Sequence, residues 1–253
     1  MKAVLFIHGL SAQKEDNEYF INKMSQYSNI QLFTFTLPGH ENNKMTKVKY
    51  EDWLNKAEEE LKQILKKHKK VQIVAHSMGT IIAVYLASKY PQIESLVLLS
   101  SAFVFGNFEQ NKKDFYRLIQ RKVDQNLGTG FEGALTKFFQ VPKSVMIEYL
   151  KMAQKIKPCI SKITCPVLLI HGMEDNVISY KSSEFVYHQL NCKKDILLVK
   201  NVRHQVFKSL KKEEIFCKTP RRSHLGTAGR TAFGLRFQVS AVTGRRPAPG
   251  AGR

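Results

Sequence analysis

The chain has 253 residues, 43% of them hydrophobic, with 40 Lys and Arg against 21 Asp and Glu. That length allows one medium α/β domain or two small ones, and the apolar share is enough for a substantial core. The net charge of +19 overstates the basicity of the body, because residues 218–253 carry eight Lys and Arg and no acid, which leaves +11 for the first 217 residues. Most of that excess is lysine spread along expected helix faces, the usual pattern of a solvated surface. Nucleic-acid binding would need clustered arginine and a recognisable module, so it is expected, if at all, only through the tail. Cys159, Cys165, Cys192 and Cys217 show no C-x-x-C spacing, and neither a zinc site nor a redox pair is expected. The apolar run Ala3–Ile7 is too short for a signal peptide and no apolar run of spanning length follows, so no membrane span and a cytoplasmic location are expected.

In chain order, Ala3–Ile7 reads as a β-branched and aromatic strand, followed by the loop His8-Gly9-Leu10-Ser11-Ala12. A helix is predicted from about Asp16 to Gln26 and a strand over Ile30–Thr36, ending at Leu37-Pro38-Gly39-His40. From Tyr50 to Lys67, the apolar residues Trp53, Leu54, Ala57, Leu61, Ile64 and Leu65 recur at helical spacing. Val71–Val74 is a buried strand, Ile81–Tyr90 a helix, and Ile93–Leu99 a further strand bounded by Pro91 and Ser100-Ser101. Residues 103–160 break the alternation with a crowd of aromatics, Phe103 and Phe105 among them, and are expected to form a small helical cap after the fourth strand. The sheet resumes at Pro166–Ile170. A helix follows over Tyr180–Leu190, then a strand over Asp195–Val199 and the start of a closing helix over Val206 to Phe216. Strands alternating with helices in this way argue for an α/β fold: a mostly parallel sheet of about six strands flanked by helices, built from 1–102 and 161–217. In such sheets function sits at the C-terminal ends of the strands.

The stretch that organises the rest is Ala75-His76-Ser77-Met78-Gly79, lying between a strand and a helix. A turn that tight holds its serine in a strained conformation with the hydroxyl projecting above the sheet, and it demands small residues two positions to either side. Ala75 stands where glycine is usual and adds only a methyl group. The helix start behind Ser77 offers free N–H groups and a partial positive charge, which suits a nucleophile that becomes an acyl ester. A serine hydroxyl needs an adjacent base, and the base needs a third group to orient it. His204, in the loop after the last strand, is the best-placed base. His8 and His171 precede glycine at strand ends and are expected to hold loops or line the site, while His76 must point away from where Ser77 points. Glu174 and Asp175 are adjacent carboxylates in the preceding strand-end loop, and spacing does not separate them. Backbone N–H groups of Met78 and Leu10 are the natural donors to a developing oxyanion.

Ile7-His8-Gly9-Leu10, Ala75-His76-Ser77-Met78-Gly79, His171-Gly172-Met173-Glu174-Asp175-Asn176-Val177 and Asn201-Val202-Arg203-His204 together resemble the α/β-hydrolases, in particular small bacterial carboxylesterases and monoacylglycerol lipases with a short helical cap. The resemblance covers residues 1 to about 216. It implies a catalytic triad of Ser77, Asp175 and His204, an oxyanion hole from Leu10 and Met78, and a substrate pocket near His8, Gly9, Phe103 and Phe105. The implied reaction is cleavage of a short- to medium-chain carboxylic ester with an apolar acyl group, monoacylglycerol included, with no cofactor and no metal. The same triad would serve a thioesterase or acyltransferase, and a hydrolase-fold binding protein is the alternative from another class. At about residue 217 the composition turns from Lys, Ile, Asn and Glu to Arg, Gly, Ala, Pro and Thr. Residues 218–253 are therefore expected to be a disordered, basic, non-native tail that cuts the family's closing helix short.

Overall fold

The computed structural model describes residues 1–12, 14–41, 45–104 and 141–218. Six strands form one sheet: β1 (Lys2–Ile7), β2 (Ile30–Thr34), β3 (Val71–His76), β4 (Ile93–Leu99), β5 (Val167–Gly172) and β6 (Lys194–Val199). Their order is β2-β1-β3-β4-β5-β6 and every neighbouring pair is parallel. Among the described residues six α-helices accompany them: α1 (Lys14–Ser25), α2 (Tyr50–Leu65), α3 (Met78–Lys89), α4 (Lys143–Ile156), α5 (Lys181–Gln189) and α6 (Lys212–Lys218).

A parallel sheet needs cover on both faces, and its strands are then apolar throughout. Period-2 alternation divides the strand residues between two packing layers. Leu5, Ile7, Ile73, Ala75, Leu96, Leu98 and Leu169 join the cluster that contains the buried residues of α2, α3 and α4. On the other face Phe6 meets Phe20 of α1 at a ring-centroid distance of 5.0 Å, and Phe20 meets Phe207 at 5.2 Å and Phe216 of α6 at 5.8 Å. The helix α3 is buried along nearly its whole length, which explains its lack of a polar face, whereas α2 buries only the stripe Trp53, Leu54, Ala57, Leu61 and Ile64.

Two stretches depart from or extend beyond the sequence reading. The closing helix expected over 206–216 is two pieces, a 3-10 turn at Val206–Lys208 and then α6. Ser209 between them is extended, with φ −79° and ψ 160°, so one continuous helix is not formed. Within the stretch assigned to a cap, residues 143–162 form α4 and a 3-10 turn over Lys157–Lys162, which pack against α3; α4 also contacts α2. Residues 105–140, which hold most of the expected cap and Phe105, and the tail from 219 onward lie outside the described residues.

Candidate active site

Strand β3 runs straight into α3 through Ser77, whose φ of 52° and ψ of −122° lie where non-glycine residues are rare. Three contacts hold it there. Its N–H donates to Leu99 O at 2.9 Å, extending the ladder to β4, and its carbonyl accepts from Thr80 N at 2.9 Å and Thr80 Oγ1 at 2.6 Å. Small neighbours make the turn possible. A Cβ on Gly79 would lie 2.4 Å from Ile7 O and 2.6 Å from His8 O, and one on Gly9 would lie 2.9 Å from Ser77 Cβ. The end of β1 is thus pressed onto the start of α3, and the Gly9-Leu10 peptide lies beside the serine. Among the described residues, no protein acceptor pairs with the N–H of Leu10 or of Met78.

Ser77 Oγ lies 3.0 Å from His204 Nε2, and His204 Nδ1 lies 2.7 Å from Asp175 Oδ2. Three loops, after β3, β5 and β6, therefore meet at one edge of the sheet. With Nδ1–H donating to the carboxylate, Nε2 is free to accept the serine proton, which is the tautomer a general base requires. Asp175 is the more constrained partner. Its side chain is wholly buried, and Oδ1 accepts from Val177 N at 2.8 Å and Ile178 N at 2.9 Å. Burial by itself would raise its pKa, but the charge of His204 and hydrogen bonds from His171 and His204 hold it well below the usual carboxylate range. Glu174 points elsewhere, accepting from Val202 N at 3.1 Å and so bracing the loop after β6.

Four residues near this arrangement have partners that the sequence analysis did not assign. His76 Nε2–H and Ser100 Oγ–H both donate to the carbonyl of His204, at 3.0 and 2.9 Å, so the backbone of His204 is pinned by the ends of β3 and β4. His171 Nε2–H donates to Asp175 Oδ2 at 2.9 Å, and Ser183 Oγ lies 2.7 Å from His171 Nδ1. The signal for His171 was present in the sequence, since it lies four residues before Asp175 at a strand end. For Ser100 and Ser183 no sequence signal distinguishes them from any other serine.

His8 is committed to the backbone. Its Nε2 accepts from Leu37 N at 2.9 Å and its Nδ1–H donates to Gly9 O at 2.8 Å. Burial, then the neighbouring His40, lowers its pKa to about 4. Phe103 is buried within the core cluster, its N–H donating to Ser182 Oγ at 3.0 Å. Among the described residues, no group of three or more His, Cys, Asp and Glu side chains is arranged to hold a metal ion, and no helix is long and apolar enough to cross a membrane.

Known proteins are similar to this chain. A provisionally named esterase/lipase 1 of Mycoplasma genitalium is 26% identical over 219 residues, covering 75% of this chain and 79% of that protein. A thermostable monoacylglycerol lipase of Bacillus sp. is 20% identical over 210 residues, covering 79% and 82% respectively. The solved structure of a Paleococcus ferrophilus monoacylglycerol lipase superposes with a TM-score of 0.65 at 17% identity, covering 85% of this chain and 91% of that one. A family model described as serine aminopeptidase, S33, matches residues 134–210. The model of the alpha/beta hydrolase fold matches residues 2–153, more than half of the chain, and with the parallel sheet and the strained serine turn this assigns the protein to the alpha/beta hydrolase family.

Proposed function

We propose that the protein is a serine hydrolase that cleaves a short- to medium-chain carboxylic ester through an acyl-enzyme intermediate. The observation that carries this reading is the continuous hydrogen-bonded path from Ser77 Oγ through both nitrogens of His204 to Asp175. The names of the relatives, esterase/lipase and monoacylglycerol lipase, support an ester with an apolar acyl group as the substrate class.

In the proposed reaction Ser77 Oγ attacks the ester carbonyl while its proton passes to His204 Nε2. Asp175 holds the imidazole in place and stabilises the imidazolium that forms. The N–H groups of Leu10 and Met78 face the oxyanion, each contributing roughly 3 kcal/mol of transition-state stabilisation. Collapse of the tetrahedral intermediate breaks the C–O bond, and the proton on Nε2 goes to the departing alcohol. Water then attacks the acyl-serine, with His204 taking its proton and returning it to Ser77. His8 and Gly9 border the oxyanion side of the pocket, and Phe103 supports it from the core. Reducing, cytoplasmic surroundings fit the unpaired thiols of Cys159, Cys165 and Cys192.

The test is turnover of p-nitrophenyl acetate, butyrate and octanoate beside the matching acyl thioesters, for wild type and Ser77→Ala. We expect ester hydrolysis that is reduced about 10⁴-fold or more in the variant. Undiminished hydrolysis by Ser77→Ala would refute the reading, and faster turnover of the thioesters would replace esterase by thioesterase.

A further inference from the structure

Asp175 Oδ2 accepts two imidazole N–H groups. One is His204 Nδ1 at 2.7 Å; the other is His171 Nε2 at 2.9 Å. Beyond each imidazole stands a serine hydroxyl, Ser77 Oγ 3.0 Å from His204 Nε2 and Ser183 Oγ 2.7 Å from His171 Nδ1. The carboxylate is thus the centre of a five-membered chain, serine–histidine–aspartate–histidine–serine, whose two arms have the same chemistry. They differ in access. His171 and Ser183 are fully buried, whereas Ser77 and His204 keep 9% and 8% of their surfaces exposed. The inner arm therefore cannot meet a substrate, and any role it has in turnover passes through Asp175.

Resting on the triad reading above, we propose that His171 is a positioning residue that sets how strongly Asp175 supports His204. Ser183 Oγ–H donates to His171 Nδ1, which places the ring proton on Nε2, where it reaches Asp175 Oδ2 and also Ile178 O at 3.1 Å. A second donor on the same oxygen draws charge away from His204. It also fixes the carboxylate against rotation, together with the two backbone N–H bonds on Oδ1. The consequence has a definite sign. With the carboxylate shared, less of its charge faces the imidazolium that forms on His204 during turnover. Removing the inner donor leaves the whole carboxylate to His204, and the acid limb of the pH–rate profile is then expected at higher pH.

Other charges around the base come from each element that reaches it. His76, at the end of β3, has its ring centroid 5.0 Å from that of His204. His8, at the end of β1, interacts electrostatically with both His76 and His40. Glu174 and Arg203 flank the pair on their own loops, Glu174 being engaged with Val202 N. Asp175 Oδ2 takes its bonds from His171 and His204 and Oδ1 from the N–H groups of Val177 and Ile178, so a change confined to residue 171 alters the carboxylate directly.

The test compares two variants of the full chain. His171→Gln can keep a donor near the Nε2 position, facing Asp175. His171→Asn keeps a polar group near the Nδ1 position, facing Ser183, and loses the donor to Asp175. The measurements are the pH profile of kcat/KM on p-nitrophenyl butyrate and a thermal melt of each variant. We expect the acid limb of His171→Asn to move up by roughly half to one pH unit, with kcat lower by roughly tenfold. We expect His171→Gln to restore the limb to the wild-type position. A residue that only fills space would lower the melting temperature and leave the limb in place. Wild-type turnover with coincident acid limbs in all three proteins overturns the proposal while leaving the triad intact, and so does an equal shift in both variants. Loss of wild-type hydrolysis would instead overturn the triad reading itself. If His171→Asn does not fold, Ser183→Ala takes its place, since it loosens the ring without touching Asp175; a limb unmoved there also counts against the proposal.

Discussion

On one side of Ser77, His8 and His40 follow β1 and β2; on the other, His171 lies near the end of β5 and His204 in the loop after β6. All four are imidazoles near strand ends, yet they do different things. The first pair bonds backbone groups: His8 takes the N–H of Leu37, and His40 Nδ1–H donates to Leu37 O and Pro38 O, each at 3.2 Å. Both have their pKa lowered, chiefly by burial. The second pair meets a carboxylate. On the proposed reading, a histidine beside Ser77 can serve as a base only where a buried anion orients one nitrogen and leaves the other facing the Ser77 hydroxyl. The histidines on the other side fasten loops.

The sharpest way to break this contrast is to remove the anion while keeping its shape. Asp175→Asn offers an amide to two imidazole donors, so His204 loses its orientation and favoured tautomer. We expect kcat to fall by about 10³- to 10⁴-fold with the fold retained by circular dichroism. Activity within tenfold of wild type would mean that some other group orients the base.

A smaller effect is expected from Gly172→Ala, which tests whether the loop after β6 must sit where it does. A Cβ there would lie 2.1 Å from Val202 O and 2.8 Å from Arg203 O, so the loop carrying His204 has to move. A displacement of about 1 Å at the base should cost roughly 100-fold in kcat/KM. Unchanged kinetics would show that the loop tolerates repositioning.

On the other side the expected readout is stability. Unfolded, His8 gains a proton as pH falls through 6.5, but folded it resists protonation until about 4. The stability it contributes by staying neutral is complete above the higher value and lost progressively between the two. The loss amounts to roughly 2 kcal/mol, discounted because the ring is partly exposed. Urea melts at pH 7 and pH 4.5 should show that difference in wild type and a smaller one in His8→Gln. An equal pH dependence in both would remove His8 from the account. Least affected should be Glu174→Gln, which weakens one bond to Val202 N. We expect activity within about threefold of wild type, and a loss comparable to that of Asp175→Asn would reverse the roles of the two carboxylates.

These contrasts also show what could be read from the residues alone. The sheet was legible because each strand is a short β-branched or apolar run separated by helix-period segments, and Ser77 was legible because strand, small residues and helix surround it. The choice between Glu174 and Asp175 was not, because adjacent side chains diverge by geometry that spacing does not encode. Nor were the bonds of His76 and Ser100 to the carbonyl of His204, which join residues 128 and 104 positions apart. Ser209 broke the expected closing helix through its backbone conformation, which no periodicity in 206–216 announces.

The most direct test of the central claim is to treat wild type, Ser77→Ala and His204→Ala with a fluorophosphonate and locate the adduct by peptide mass spectrometry. A single adduct on Ser77 is expected in wild type, none in Ser77→Ala, and labelling slowed by orders of magnitude in His204→Ala. An adduct on another residue, or equal labelling of wild type and Ser77→Ala, would contradict the claim.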